Sequence, residues 1–443
     1  MPHDLKQPGL VPFPKLLAVF GYAGICCLLI VGLAEAGAWA ALNLYWDAHS
    51  PLRRAGPDYQ ERIKRRRGLT HGRPWLLSDA WEASTASPAY DGYPWAEEFW
   101  RDERARLTEE QRTVGTYEPF RVWGGPRWRG KYVNVEETEM GLLRRTVNSL
   151  DPGCAGRVTR KVWFLGGSTA WGMSVPDSAT IPSDLSRMLN VNADGCFQVF
   201  NLGVSGYVSN QEIVYLVQEL KAGRRPDIVI FYDGVNDAYA GAYYPALPAT
   251  HLGFFEIKSK YESQLFSWPS LVRRSYLLQG VTKVELQAQA RLQGEKSPSD
   301  WVALGRGTLD NYETNLHFAQ EMARSYGFVV HFFWHPSPYY GKKPLTPLEK
   351  SFCQSGAFLQ AVHAVYEEAE RRAASSGEFV FLGRIFDQAS EDLYVDEFHV
   401  GPRGNEMVAA SIAAAIQAPP RDPHAGAGRH AVTPANSSGT LPR

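Results

Sequence analysis

An apolar run that ends in a serine, and a histidine far downstream of it, are the residues in this chain best suited to chemistry. Lys161-Val-Trp-Phe-Leu-Gly-Gly-Ser168-Thr-Ala-Trp-Gly172 lies mid-sequence, and Asp396-Glu-Phe-His399 lies near its end. Between them fall Asn201-Leu-Gly-Val-Ser-Gly206 and Tyr232-Asp-Gly234-Val-Asn236-Asp237. A strand running into Gly-Gly-Ser delivers a hydroxyl at a tight turn with a helix starting behind it. Asp396 and His399 are close enough to share one turn, so the carboxylate can orient the imidazole. Ser168 is then a nucleophile, His399 its base and Asp396 the orienting acid, and the two motifs between them offer two possible oxyanion donors. The plain alternative for Ser168 alone is a helix cap.

These residues need a scaffold that gathers them. From about Arg157 onward, short runs rich in β-branched and aromatic residues alternate with helical patterns. The runs are Val162–Leu165, Phe197–Leu202, Ile228–Tyr232 and Val329–Trp334, with Phe379–Leu382 as a fifth. The helices are expected over Ile181–Leu189, Asn210–Leu220, Asn311–Tyr326, Gln360–Ala374 and Asn405–Ile416. Such alternation predicts a parallel sheet covered on both faces, with functional loops at the carboxyl ends of its strands. Each motif above except the last follows directly on a strand. The alternation stops over about 238–309, which reads as an insertion beside Asn236 able to wall the substrate site.

Gly-Gly-Ser168, Ser-Gly206, Gly234-x-Asn236-Asp237 and Asp396-x-x-His399 resemble the four blocks of the SGNH, or GDSL-type, hydrolases. The resemblance covers roughly Val162 to Ile416. It implies a three-layer α/β/α, flavodoxin-like parallel sheet. It also implies Ser168 as nucleophile, His399 as base oriented by Asp396, and an oxyanion hole of the Ser168 and Gly206 N–H groups with the Asn236 side chain. One departure is Gly167, where the usual pattern has Asp; that aspartate is not the one that orients the histidine. The nucleophile elbow of the α/β-hydrolases, also approached by Gly166-x-Ser168-x-Ala170, fits less well, because its acid and histidine come on separate loops.

Other residues carry weaker signals. His335, in Trp334-His-Pro-Ser-Pro-Tyr339-Tyr340, follows a strand and is expected either to contact substrate or to pack a loop. His317 and His363 sit in helical patterns and read as surface or packing residues. No His/Cys/Asp group has metal-ligand spacing, and no Gly-rich loop with a lysine is built for phosphate, so neither metal nor cofactor is expected.

The 443 residues carry a formal net charge of −1 and no basic stripe with interleaved aromatics, which argues against a nucleic-acid partner. Residues 1–15 read as a tail and 16–46 as a transmembrane helix, apolar over about 20 residues and ending in Trp39, Tyr45 and Trp46. A cleaved signal peptide is the rival reading. A basic linker over 47–73 leads to a Trp-rich accessory segment, 74–156, holding Trp75, Trp81, Trp95, Trp100, Trp123 and Trp128. These rings either pack the segment onto the hydrolase-like domain at 157–417 or form a platform for sugars. Residues 418–443 read as a disordered tail.

Five cysteines include Cys26 and Cys27 in the apolar run. Cys154 and Cys196 each precede or open a strand, so neighbouring parallel strands place both at one end of the sheet. That arrangement suits a disulfide, leaving Cys353 unpaired; two unrelated thiols are the alternative. A bridge implies an oxidising compartment and an extracytoplasmic domain, whereas the basic residues after the helix argue for the cytoplasm. The functional expectation is a membrane-anchored serine esterase removing acyl groups, acetyl above all, from a glycan or similar ester. An O-acyltransferase uses the same acyl-enzyme, and a non-enzymatic glycan- or protein-binding member is the third reading.

Overall fold

The computed structural model describes residues 29–41, 84–112, 116–150, 154, 157–191, 196–244, 250–254, 257–258, 297–353 and 356–417. Numbered along the chain, β1 (Thr116–Glu118) and β2 (Val122–Gly124) form a separate hairpin. One eight-stranded sheet takes β3 (Trp128–Arg129), β4 (Asn134–Thr138), β5 (Gly141–Arg144), β6 (Thr159–Gly166), β7 (Cys196–Asn201), β8 (Ile228–Asp233), β9 (Val329–Trp334) and β10 (Val380–Phe381). Its helices are α1 (Ala96–Arg112), α2 (Ser168–Trp171), α3 (Ile181–Asn190), α4 (Ser209–Lys221), α5 (Val235–Tyr243), α6 (Pro298–Tyr326), α7 (Pro347–Phe352), α8 (Ala357–Ser376) and α9 (Pro402–Gln417).

Strands β10, β9, β8, β6 and β7 lie side by side and all parallel. Alternate side chains on each strand point to opposite faces, and both faces are buried. Trp163, Leu165, Val229, Phe231, Phe332 and Trp334 pack against α4, α5, α6 and α8. Val162, Phe164, Ile228, Ile230 and Phe333 pack against α3 and α9 on the other side. The chain leaves β6 for β7 on one flank and then returns to β8 on the other. The strand order therefore reverses between β6 and β8, which opens a crevice at their carboxyl ends.

The sheet is not purely parallel, as the sequence reading expected. β5 runs antiparallel to β7, and β4 and β3 continue antiparallel beyond it. These strands come from the Trp-rich segment and cover the edge of β7 that a five-stranded sheet would leave open. Buried Arg144, on β5, donates from Nε to Asp177 Oδ1 at 2.7 Å and locks this extension to the turn after Ser168. Tyr90, Phe99, Trp100, Val133 and Val135 form a further apolar cluster with Trp171 and Val395. Trp75 and Trp81 lie outside the described residues.

Local signals account for the helix ends. Ser297 caps α6 in a reciprocal capping box with Asp300, Pro298 occupies its first turn, and left-handed Gly327 ends it. Thus α6 starts well before Asn311, and α5 runs to Tyr243, so the interruption of the α/β pattern is shorter than the expected 238–309. Of the expected membrane span at 16–46, residues 29–41 are described and helical. Among the described residues, no helix is long and apolar enough to cross a membrane. The linker at 47–73 and the tail at 418–443 lie outside the described residues.

Candidate active site

Ser168 is the first residue of α2, immediately after β6, and its side chain is almost buried. His399 approaches from the other end of the chain, with Nε2 2.8 Å from Ser168 Oγ. His399 Nδ1 lies 2.8 Å from Asp396 Oδ2 and 3.0 Å from Oδ1. The three side chains thus form one continuous relay.

The turn holding Asp396 and His399 is fixed from several sides. Val395 N–H donates to the His399 carbonyl at 3.0 Å, and Tyr394 and Val400 pair across the loop. Below it, the buried carboxylate of Glu349 accepts from Leu393 N–H and Tyr394 N–H at 2.9 and 3.0 Å and pairs with Lys343. Burial pushes the Asp396 carboxyl upward. The facing His399, with hydrogen bonds from its ring and from the Phe398 and His399 N–H groups, outweighs burial and holds the pKa below the ordinary carboxylate value. Asp396 therefore stays ionised and keeps the histidine Nδ1 protonated, leaving Nε2 to accept the serine proton.

The groups expected as oxyanion donors lie beside the turn that carries Ser168. The Ser168 N–H opens a helix, where no intrahelical acceptor exists. The Asn236 amide, in the first turn of α5, donates one N–H to the Tyr207 carbonyl at 2.7 Å. Its second N–H remains for a ligand. A Cβ built on Gly167 would lie 2.1 Å from Asn236 Nδ2 and 3.3 Å from the Tyr207 oxygen, so the amide rests directly on the residue before the nucleophile. Gly206 adjoins Tyr207. Its φ of +79° requires glycine, whereas a Cβ there would meet only Trp123, at an ordinary 3.5 Å. Backbone conformation, rather than lack of space, is thus what demands glycine at 206.

His335 does not line the pocket. It is 2% exposed, its Nδ1 bonds the Pro336 carbonyl, and its Nε2 accepts from Val235 N–H at 2.9 Å. Burial lowers its pKa to about 4, opposed by the Pro336 bond and aided by the charge of His399. A neutral His335 thus braces the residue next to Asn236. Of the other two histidines, His317 lies on the surface 3.2 Å from Glu378 and His363 packs against Tyr340.

Sequence reasoning missed a group of carboxyls behind this loop. Glu212, Asp233 and Asp237 are all buried, from α4, the end of β8 and the first turn of α5. Asp237 accepts from Ser209 Oγ at 2.6 Å, and Asn315 donates to the same hydroxyl at 2.9 Å. Burial raises all three: Glu212 well above the ordinary range, Asp233 to about 8 and Asp237 to about 6. Only Asp237 carried a motif; nothing in sequence links Glu212 to Asp233. Among the described residues, no group of His, Cys, Asp and Glu is arranged to hold a metal ion.

Cys154 and Cys196 are bonded, with Cα atoms 5.7 Å apart, and Cys353 is free of any disulfide. The bridge joins the start of β7 to the segment before β6.

No protein-family model and no curated protein matches the sequence. Solved structures do resemble the chain. A member of the lipolytic protein G-D-S-L family from Veillonella parvula DSM 2008 is 12% identical over 59% of this chain and 98% of its own, with a TM-score of 0.31. Axe2, an acetylxylan esterase from Geobacillus stearothermophilus, is 14% identical over 59% and 95%, with a TM-score of 0.30. TesA is 13% identical over 58% and 98%, with a TM-score of 0.31.

Proposed function

We propose that the protein is a serine ester hydrolase of the SGNH (GDSL) type, acting through an acyl-enzyme to remove acyl groups, acetyl above all, from a glycan or similar ester. The observation that carries this reading is the Ser168–His399–Asp396 relay, with both links at 2.8 Å. In the first step His399 Nε2 takes the Ser168 proton while Oγ bonds to the ester carbonyl carbon. The carbonyl oxygen gains a negative charge and meets the N–H groups of Ser168, Gly206 and Asn236. Each such donor typically lowers the barrier by ~3–4 kcal/mol. As the tetrahedral intermediate collapses, His399 returns the proton to the leaving alkoxide and the acyl group stays on Ser168. A water molecule then attacks the acyl-enzyme with His399 again as base, releasing the carboxylic acid and restoring the serine.

The Cys154–Cys196 bridge supports an oxidising compartment. In this reading the domain works outside the cytoplasm, with residues 16–46 as its membrane anchor. The test is hydrolysis of p-nitrophenyl acetate by wild type and Ser168→Ala. Ser168→Ala is expected to lose turnover while keeping its thermal transition. Retained turnover would remove the serine from the mechanism.

A further inference from the structure

The loop that carries Gly206 is held from outside the main sheet, by the hairpin of the Trp-rich segment. Trp123, on β2, grips it at two points. The indole Nε1 donates to the Ser205 carbonyl at 2.9 Å, and the Trp123 carbonyl accepts from the Tyr207 hydroxyl at 2.5 Å. Gly206 lies between the two bonds, with the Trp123 ring alongside.

The first bond matters because of the peptide group it fixes. The Ser205 carbonyl and the Gly206 N–H belong to one planar unit and point in opposite directions across it. Glycine at φ +79° offers little resistance to rotation of that unit, since it has no Cβ to obstruct it. The direction of the N–H is therefore set by whatever holds the carbonyl. A donor on that carbonyl also polarises the amide and strengthens its N–H as a donor in turn. We propose that Trp123 is a positioning residue for catalysis, fixing the Ser205–Gly206 peptide so that its N–H meets the oxyanion. The proposal rests on the esterase reading above and adds to it a residue from a separate hairpin.

The hairpin has its own anchors, all on α4. Gln211 Nε2 donates to the Arg121 carbonyl at 2.7 Å, and Gln218 Nε2 to the Pro119 carbonyl at 2.9 Å. The Arg121 guanidinium stacks on Tyr215, 3.8 Å from the ring centroid. Its backbone is strained next to Trp123: Val122 has φ +77° and Phe120 φ +67°. A β-branched residue rarely adopts this left-handed conformation, and such strain persists only where the surrounding contacts over-determine it. The second bond extends the grip to the other donor, because the Tyr207 carbonyl accepts from Asn236 Nδ2 at 2.7 Å. Trp123 thus bears on both arms of the oxyanion site.

The test compares Trp123→Phe, Tyr207→Phe and Gln218→Ala with wild type on p-nitrophenyl acetate, recording kcat, KM and the thermal transition of each. Inhibition by phenylboronic acid, which adds to Ser168 Oγ as a tetrahedral anion, is measured alongside. Trp123→Phe keeps a ring but loses the N–H, and should lower kcat about 10–100-fold with KM within about threefold. Affinity for phenylboronic acid should fall in step while the thermal transition stays close to wild type. Tyr207→Phe, which removes the second bond alone, should show the same split and carries the test if Trp123→Phe melts early. Gln218→Ala loosens the far end of the hairpin and leaves both bonds to the loop, so it should keep wild-type kcat. An equal loss in Gln218→Ala would show general loosening and overturn the proposal. A raised KM with unchanged kcat in Trp123→Phe would assign the ring to ground-state binding, with the same consequence. Wild-type turnover with Trp123→Phe and Tyr207→Phe unchanged in kcat and boronate affinity would overturn the positioning role and leave the esterase reading standing. No turnover by wild type would overturn the esterase reading itself.

Discussion

The position before the nucleophile offers the sharpest perturbation. Gly167 has φ −81° and ψ −150°, a negative φ that carries no left-handed demand for glycine. The conflict is with Asn236: the added Cβ would lie 2.1 Å from Nδ2. The amide must retreat by roughly 1 Å or more to reach an ordinary contact, and displacements of that size cost about 100-fold in rate. Retreat also breaks the 2.7 Å bond to the Tyr207 carbonyl that aims the remaining N–H. The limit is loss of one oxyanion donor, about 10²–10³-fold in kcat. KM should hardly move, because the donor acts on charge that develops only in the transition state. Gly167→Asp, which restores the residue usual in the Gly-Asp-Ser pattern, meets the same amide and should be at least as damaging. Initial rates on p-nitrophenyl acetate, with a thermal melt for each variant, measure this. Asn236→Ala supplies the control, since it deletes the obstructing amide. Gly167→Ala should then add little to Asn236→Ala. A Gly167→Ala enzyme within threefold of wild type, or losses that multiply in the double variant, would refute the reasoning.

Three further outcomes are expected. His335→Ala removes the acceptor of Val235 N–H and should lower kcat about 10–100-fold with KM little changed, as one buried donor left unpaired costs ~1–3 kcal/mol; unchanged kcat would detach His335 from the oxyanion loop. Asp233 and Asp237 have folded pKa values raised above those of an unfolded chain, so the folded state binds more protons and stability falls as pH rises from the ordinary carboxylate range through about 6 and then about 8. Melting temperature across that window should decline, with a shallower slope in Asp233→Asn; a slope identical to wild type would contradict the cluster's role. Reducing the Cys154–Cys196 bridge, which closes a loop of 42 residues, should lower stability by roughly 2–4 kcal/mol, and a peptide map with both thiols free would refute the pairing.

How much of this was legible depends on whether a property lives in the local pattern. The apolar stretches Val162–Leu165, Ile228–Tyr232 and Phe332–Trp334 are buried because both sheet faces are covered, and they mark β6, β8 and β9, although β6 starts three residues earlier, at the polar Thr159-Arg-Lys161. The extension β3–β5 was hidden. Asn134-Val-Glu-Glu-Thr138 has one apolar residue; it pairs with β3 and β5, and only β5 reaches the open edge of β7, at Arg144 opposite Asn201. The start of α6 was marked by Ser297-Pro-Ser-Asp300, but that cap stands alone in a polar stretch. Motif spacing named Ser168, Gly206 and Asn236, each in the loop or turn after a strand, and the Asp396-x-x-His399 pair in the loop before the last helix. It could not say which atoms His335 bonds, nor that Glu212 and Asp233 meet, since those contacts depend on how α4 lies across β8. Trp123 was one tryptophan among several, and only its place beside Gly206 separates it from Trp100, which is buried in the accessory core.

The central claim is that Ser168 carries the acyl group. Wild-type protein mixed with p-nitrophenyl acetate, acid-quenched within a few turnovers and digested, should yield the peptide containing Ser168 heavier by one acetyl group, with the label absent from Ser168→Ala and accumulating in a variant of His399. Turnover with no acetylated Ser168 under any quench time, or an acetyl group found on another residue and retained in Ser168→Ala, would contradict it.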